Sequence, residues 1–301
     1  MSYCSRSHRQ RLLVWAAACV VCWLSLPITG HADTLIGITN DDNLISVNTA
    51  NPAGSTLIGA LSSPASALGI ISAGGNLYIY DTNNNVIDQV DPTTAAIIAT
   101  INIGIPVIPG EGDLAFYNGV GYLASTYDAS GDFNGSTGTL YSFTLSAGSA
   151  SVISQSIPLL DGLTFSSSGV LYGLAQGGET LFTIDPSTGA TLTSNSTGIS
   201  DDCAGFACFG FGGLTFGSGG RLFASLSSFS GPTSAFFQLD PTTGAATQLA
   251  DVPFDQVSGL TATAGGTQVT PEPSMILVCL AGLVGLISGR KLVRSRATHR
   301  P

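Results

Sequence analysis

A chain of 301 residues with 38 Gly, 14 Pro and 44% hydrophobic residues has enough apolar content for a packed core, and its turn formers mark many short elements rather than disorder. Its nine Lys and Arg residues fall almost wholly at the two ends, which leaves Arg221 as the one base against eighteen acids between Asp33 and Asp255. A central region of charge −17, eighteen acids against one base, repels phosphate backbones, so nucleic acid is excluded as a partner while cations and neutral polymers are not.

At the start of the chain, Arg6, Arg9 and Arg11 precede an apolar run from Leu12 to Leu26. Pro27 then breaks the helix, and Gly30 and Ala32 place small residues three and one before Asp33. This order predicts a signal helix over residues 1–32, engaged by the secretion machinery and cut by signal peptidase between Ala32 and Asp33.

From residue 33 to 264 the chain repeats itself. The clearest copy runs Asp161-Gly162-Leu163-Thr164-Phe165, Val170-Leu171-Tyr172, Leu181-Phe182-Thr183-Ile184-Asp185-Pro186 and Thr188-Gly189-Ala190-Thr191. The same order returns at Gly213 to Phe216, Arg221 to Phe223, Phe236 to Pro241 and Thr243 to Thr247, with weaker copies upstream. Leu68, Leu114, Leu163, Leu214 and Leu260 serve as anchors, 46 to 51 residues apart. Four strand-like runs in a unit of this length predict an all-β fold, a β-propeller of four-stranded blades. Leu35 to Leu61 supply strands two to four without a first, and Gly259-Leu260-Thr261 supply a first strand without the rest. Pairing the last strand with the first blade then closes a ring of five blades, or six if one copy is degenerate. The pattern resembles the repeats of NHL and YVTN-like propeller families.

Within this region the chemistry is sparse. His8, His31 and His299 all lie in the terminal segments and residues 33–264 contain no Lys, which excludes Ser-His-Asp, Cys-His and Schiff-base catalysis and His-based metal sites there. Asp91, Asp185 and Asp240 each precede a turn and are expected to cap it. The catalytic candidates are Glu111, Asp113 and Asp161, which begin or precede first strands and are placed to face a central channel; two carboxylates there could hydrolyse a glycosidic bond. No cofactor is implied beyond calcium, for which Asp128 and Asp132, and Asp81 and Asp88 with Asn83 and Asn85, offer alternating oxygens without an EF-hand pattern. The alternative for both loops is a plain polar hairpin. Cys203 and Cys208 are expected to form a disulfide once exported to an oxidising compartment.

At the other end a linker over residues 265–274 carries Pro271-Glu272-Pro273. Residues 275–289 are apolar and read as a short transmembrane helix. Arg290, Lys291, Arg294 and Arg296 in the tail 290–301 place that tail in the cytoplasm. Together these features resemble the PEP-CTERM sorting domain of Gram-negative bacteria, whose substrates are processed by exosortase. The resemblance implies a Gram-negative envelope protein, held in the inner membrane with a periplasmic ectodomain before sorting to the cell surface or the extracellular matrix. It implies exopolysaccharide and biofilm surroundings and a non-enzymatic binding or structural part, the alternative being a carbohydrate-active propeller hydrolase that uses the channel carboxylates.

Overall fold

In the computed structural model, which describes residues 33–105, 110–133, 135–146, 148–200, 209–228 and 232–263, the short apolar runs form twenty strands. The signal segment, Cys203 and Cys208, the Pro-Glu-Pro motif, the apolar span and the basic tail lie outside the described residues. Among the described residues no helix is long and apolar enough to cross a membrane.

Blade I contains β1 (Thr34–Thr39), β2 (Asn43–Asn48) and β3 (Thr56–Ala60). Blade II is β4 (Leu68–Ala73), β5 (Asn76–Asp81), β6 (Val86–Val90) and β7 (Ile97–Asn102). Blade III is β8 (Leu114–Tyr117), β9 (Val120–Ser125), β10 (Gly138–Phe143) and β11 (Ser151–Ile157). Blade IV is β12 (Leu160–Phe165), β13 (Leu171–Ala175), β14 (Thr180–Ile184) and β15 (Thr191–Ser196), and blade V is β16 (Phe209–Phe216), β17 (Leu222–Ser228), β18 (Ser234–Leu239) and β19 (Ala246–Gln248). The last strand, β20 (Val257–Ala262), returns to blade I and pairs antiparallel with β1, Leu35 opposite Ala262 and Gly37 opposite Leu260. The fold is a five-bladed β-propeller.

Strand alternation explains why each blade is apolar on both faces. On β1, Ile36 and Ile38 pack with Ile70, Leu77 and Ile79 of blade II, whereas Leu35 packs with Phe223 and Phe236 of blade V. On β14, Leu181 turns towards blade V and Ile184 towards blade III. Five such apolar clusters, one at each junction between neighbouring blades, complete the ring. The outer strands bury much less, and β15 is exposed along most of its length.

Turn chemistry follows the sequence closely. The carboxylate of Asp91 accepts the Thr93 N–H at 2.7 Å, that of Asp185 accepts the Ser187 N–H at 2.8 Å, and that of Asp240 accepts the Thr242 N–H at 2.7 Å. These bonds, with the hydroxyls of Thr93 and Ser187 for the first two, hold the three carboxyls below the usual range. One anchor shifts. Ile70, not Leu68, lines the axis beside Leu114, Leu163, Leu214 and Leu260, because Ile70 follows the close-packed Gly69 as Leu163, Leu214 and Leu260 follow Gly162, Gly213 and Gly259.

Candidate functional site

The five innermost strands, β4, β8, β12, β16 and β20, approach so closely at the axis that four of them carry glycine there. A Cβ on Gly213 would lie 2.6 Å from the backbone of Gly259 and Leu260, one on Gly259 would lie 2.6 Å from Gly69 Cα, and one on Gly162 would lie 2.7 Å from Leu214 Cβ. Blade III departs from this pattern, with Asp113 in the corresponding place. Its Oδ1 accepts the Leu114 N–H at 2.7 Å, and its Oδ2 accepts the N–H groups of Leu163 at 2.9 Å and Leu214 at 3.3 Å. One carboxylate therefore ties together the inner strands of three blades. Asp113 has no exposed surface, and burial pushes its carboxyl well above the usual range against the opposing pull of those three donors. Beyond it, towards the C-terminal ends of the inner strands, the axis retains a cavity of about 70 Å³ lined by Ile70, Leu114, Leu163, Leu214 and Leu260. That volume falls well below the several hundred Å³ of a small-molecule site.

The other two candidates sit on the opposite side of Asp113, at the N-terminal ends of the inner strands. Asp161 occupies the bulge between Leu160 and Gly162, is 1% exposed, and accepts the Gly177 N–H at 3.0 Å. Glu111 is half-buried and accepts a hydrogen bond from Gln176 Nε2, while its own N–H donates to Thr126 Oγ1 at 3.1 Å. Burial pushes the Glu111 carboxyl up to about 7, opposed by the bond from Gln176. Both acids are thus fastened to adjacent residues of the β13–β14 turn, Gln176 and Gly177. The neighbouring loop of blade III carries two aromatics in edge contact, Tyr127 and Phe133, with ring centres 5.9 Å apart and Phe133 56% exposed. A carboxyl whose pKa is raised to about 7 can give or take a proton at working pH, and an exposed ring on the adjoining loop suits the apolar face of a sugar.

No protein-family model matches the chain, and no curated protein matches it in sequence. Similarity to solved structures is distant. A chain of a nidogen–laminin complex shares 10% identity with a TM-score of 0.45 over 79% of this chain and 100% of that one. A gluconolactonase from Xanthomonas campestris shares 16% identity with a TM-score of 0.44 over 74% and 73%. A catalytically inactive virginiamycin B lyase from Staphylococcus aureus shares 15% identity with a TM-score of 0.41 over 74% and 71%. At these identities the likeness concerns the fold alone.

The loops read as calcium candidates are built differently from each other. Asp128 Oδ1 accepts the N–H groups of Ser130 at 2.8 Å and Asp132 at 3.0 Å, which holds its carboxyl below the usual range and makes it the cap of its own turn; Asp132 is exposed. Asp81 and Asp88 are 3% and 2% exposed. Asp81 accepts from the backbone and side-chain nitrogens of Asn84, and Asp88 accepts from Thr100 Oγ1 at 2.6 Å. Burial, and then the charge of the nearby Asp81, push the Asp88 carboxyl up against the lowering effect of the Thr100 bond. Asn83 and Asn85 turn away, Asn83 Nδ2 to the Pro64 carbonyl and Asn85 Oδ1 to the Tyr80 hydroxyl. Among the described residues no three His, Cys, Asp or Glu side chains gather as metal ligands.

Sequence reasoning missed Gln176, Tyr127 and Phe133. The aromatics flank the Asp128 turn and were visible as a pair bracketing a polar loop; Gln176 carried no signal, being 65 residues from Glu111.

Proposed function

We propose that this chain is an exported surface or matrix protein whose propeller binds or scaffolds polymer without catalysing a reaction. The secretory route delivers it, signal peptidase cuts before Asp33, and the tail holds it in the inner membrane of a Gram-negative envelope. Exosortase then recognises Pro271-Glu272-Pro273, after which the ectodomain belongs to the cell surface or the exopolysaccharide matrix of a biofilm. The observation that carries the non-enzymatic part is the filled axis: Asp113 spends both oxygens on backbone donors of three blades, and glycine contacts shut the channel beside it. Asp33, the first residue after the proposed cut, is tied into the propeller, its N–H donating to Thr49 Oγ1 at 2.9 Å and its carboxylate pairing with Arg221 at 2.7 Å. Tags placed after Asp33 and before Pro301, followed in cells with and without the sorting enzyme, test the sorting; both tags staying on one full-length membrane polypeptide in the presence of that enzyme defeats it. A glycan-binding screen on residues 33–263 tests the binding part, and no retention on any polysaccharide defeats it.

A second reading is a carbohydrate-active hydrolase with Glu111 as general acid and Asp161 as the second carboxylate. It is favoured by the neutral-range titration of Glu111 and by Phe133 exposed on the adjoining loop. Release of reducing ends from a bound polysaccharide, lost in Glu111→Gln, would establish it; intact polymer after prolonged incubation removes it.

A further inference from the structure

The direction of the inner strands gives the propeller two unlike sides. Every inner strand runs from the Asp161 and Glu111 side towards the axial cavity, so the polypeptide leaves β20 at Ala262 on the cavity side. It also enters there, because Asp33 precedes the antiparallel β1 and its carboxylate pairs with Arg221 in the β16–β17 turn. That side carries the region's one base, Arg221, paired with Asp33, and three ionised turn carboxylates, Asp91, Asp185 and Asp240. The opposite side carries the solvated acids of the long loops, among them Asp41, Asp128, Asp132, Glu179 and Asp251.

We propose that the cavity side of the propeller faces the lipid bilayer to which the tail tethers it, and that the acidic loop side points away. The inference rests on the reading of residues 275–289 as a membrane span. Eleven residues, 264–274, separate the propeller from that span and reach at most about 36–40 Å when fully extended. From the axis, the reversed orientation needs a path across four strands, about 19 Å, and then down one six-residue strand, about 20 Å. The reversed orientation therefore takes the whole linker with no slack. It also presses the larger group of acids, among them Asp41, Asp128, Asp132, Glu179 and Asp251, onto an anionic lipid surface that repels them. With the cavity side inward, the linker leaves the axis directly towards the membrane.

The test uses the full chain reconstituted in phosphatidylglycerol-containing vesicles with a quencher on the lipid headgroups. A clickable non-canonical amino acid carries a fluorophore at Ser168 or Thr188 on the cavity side, or at Ser130 or Glu179 on the loop side, four exposed or half-exposed turn positions. Flotation with the vesicles, abolished by removing residues 264–301, establishes the tether; failure to float overturns the tether and this inference together. Once the chain floats, strong quenching at Ser168 and Thr188 and little at Ser130 and Glu179 is the expected result. Equal quenching at all four sites, or stronger quenching on the loop side, overturns the orientation and leaves the tether standing.

Discussion

Replacing Asp113 with alanine should damage this propeller more than any exposed acid could. The substitution removes the acceptor for three buried backbone donors, those of Leu114, Leu163 and Leu214, on three different blades. Each buried donor left unmade costs about 1–3 kcal/mol, and water entering the vacated space recovers part of that, so a loss on the order of 3–5 kcal/mol is expected. Asp113→Asn should fall between, because one oxygen still accepts from Leu163 and Leu214 while the amide group faces the Leu114 N–H and loses that bond. Asp91→Ala is the comparison: it removes a solvent-exposed turn cap and should lower stability far less. The assay is urea unfolding of residues 33–263 followed by far-UV circular dichroism, with midpoint and slope both fitted. Unfolding free energies for Asp113→Ala and Asp91→Ala that agree within about 1 kcal/mol would refute the central tie.

Gly213→Ala should cost about 1–3 kcal/mol by the same assay, since its new Cβ meets backbone atoms of Gly259 and Leu260 at 2.6 Å, whereas Gly37→Ala, whose Cβ meets the flexible Ile45 side chain at 3.0 Å, should cost less. Glu111 has a folded pKa raised to about 7, so its protonated form contributes stability that is complete below about pH 4.5 and lost as pH rises through about 7. Glu111→Gln should abolish that part of the fall in the urea midpoint between pH 5 and 8, and parallel profiles for the two proteins would contradict the assignment. Peptide mapping of protein exported to an oxidising compartment should find Cys203 linked to Cys208; two free thiols under non-reducing conditions would reject the bridge.

Local pattern carried much of the fold. The repeated Asp-Pro turns at Asp91, Asp185 and Asp240 are capped by donors two residues on, a range over which neighbouring residues decide the geometry. The split first blade was legible because a strand without partners at one end and three strands without a first at the other have one economical pairing, and Gly37 opposite Leu260 realises it.

What the sequence left open depends on residues that meet only when the ring closes. Asp113 reads as a catalytic candidate until Leu163 and Leu214, 50 and 101 positions away, are seen to spend its oxygens. The displacement of the blade II anchor from Leu68 to Ile70 depends on which residue reaches the axis, where Gly69 meets the backbone of Leu114, and period-two alternation does not separate residues 68 and 70. The pairing of Glu111 with Gln176 and the division of charge between two sides were likewise undetermined, because composition counts acids without knowing the direction of the strands that carry them. By itself the sequence determined the repeated strands, their turns and the closure of the ring, since those follow from alternation and local hydrogen bonding, while five blades against six stayed open. Only the tertiary structure decided which carboxylates are structural and which face solvent, because burial and long-range donors, not residue type, fix what a carboxylate does.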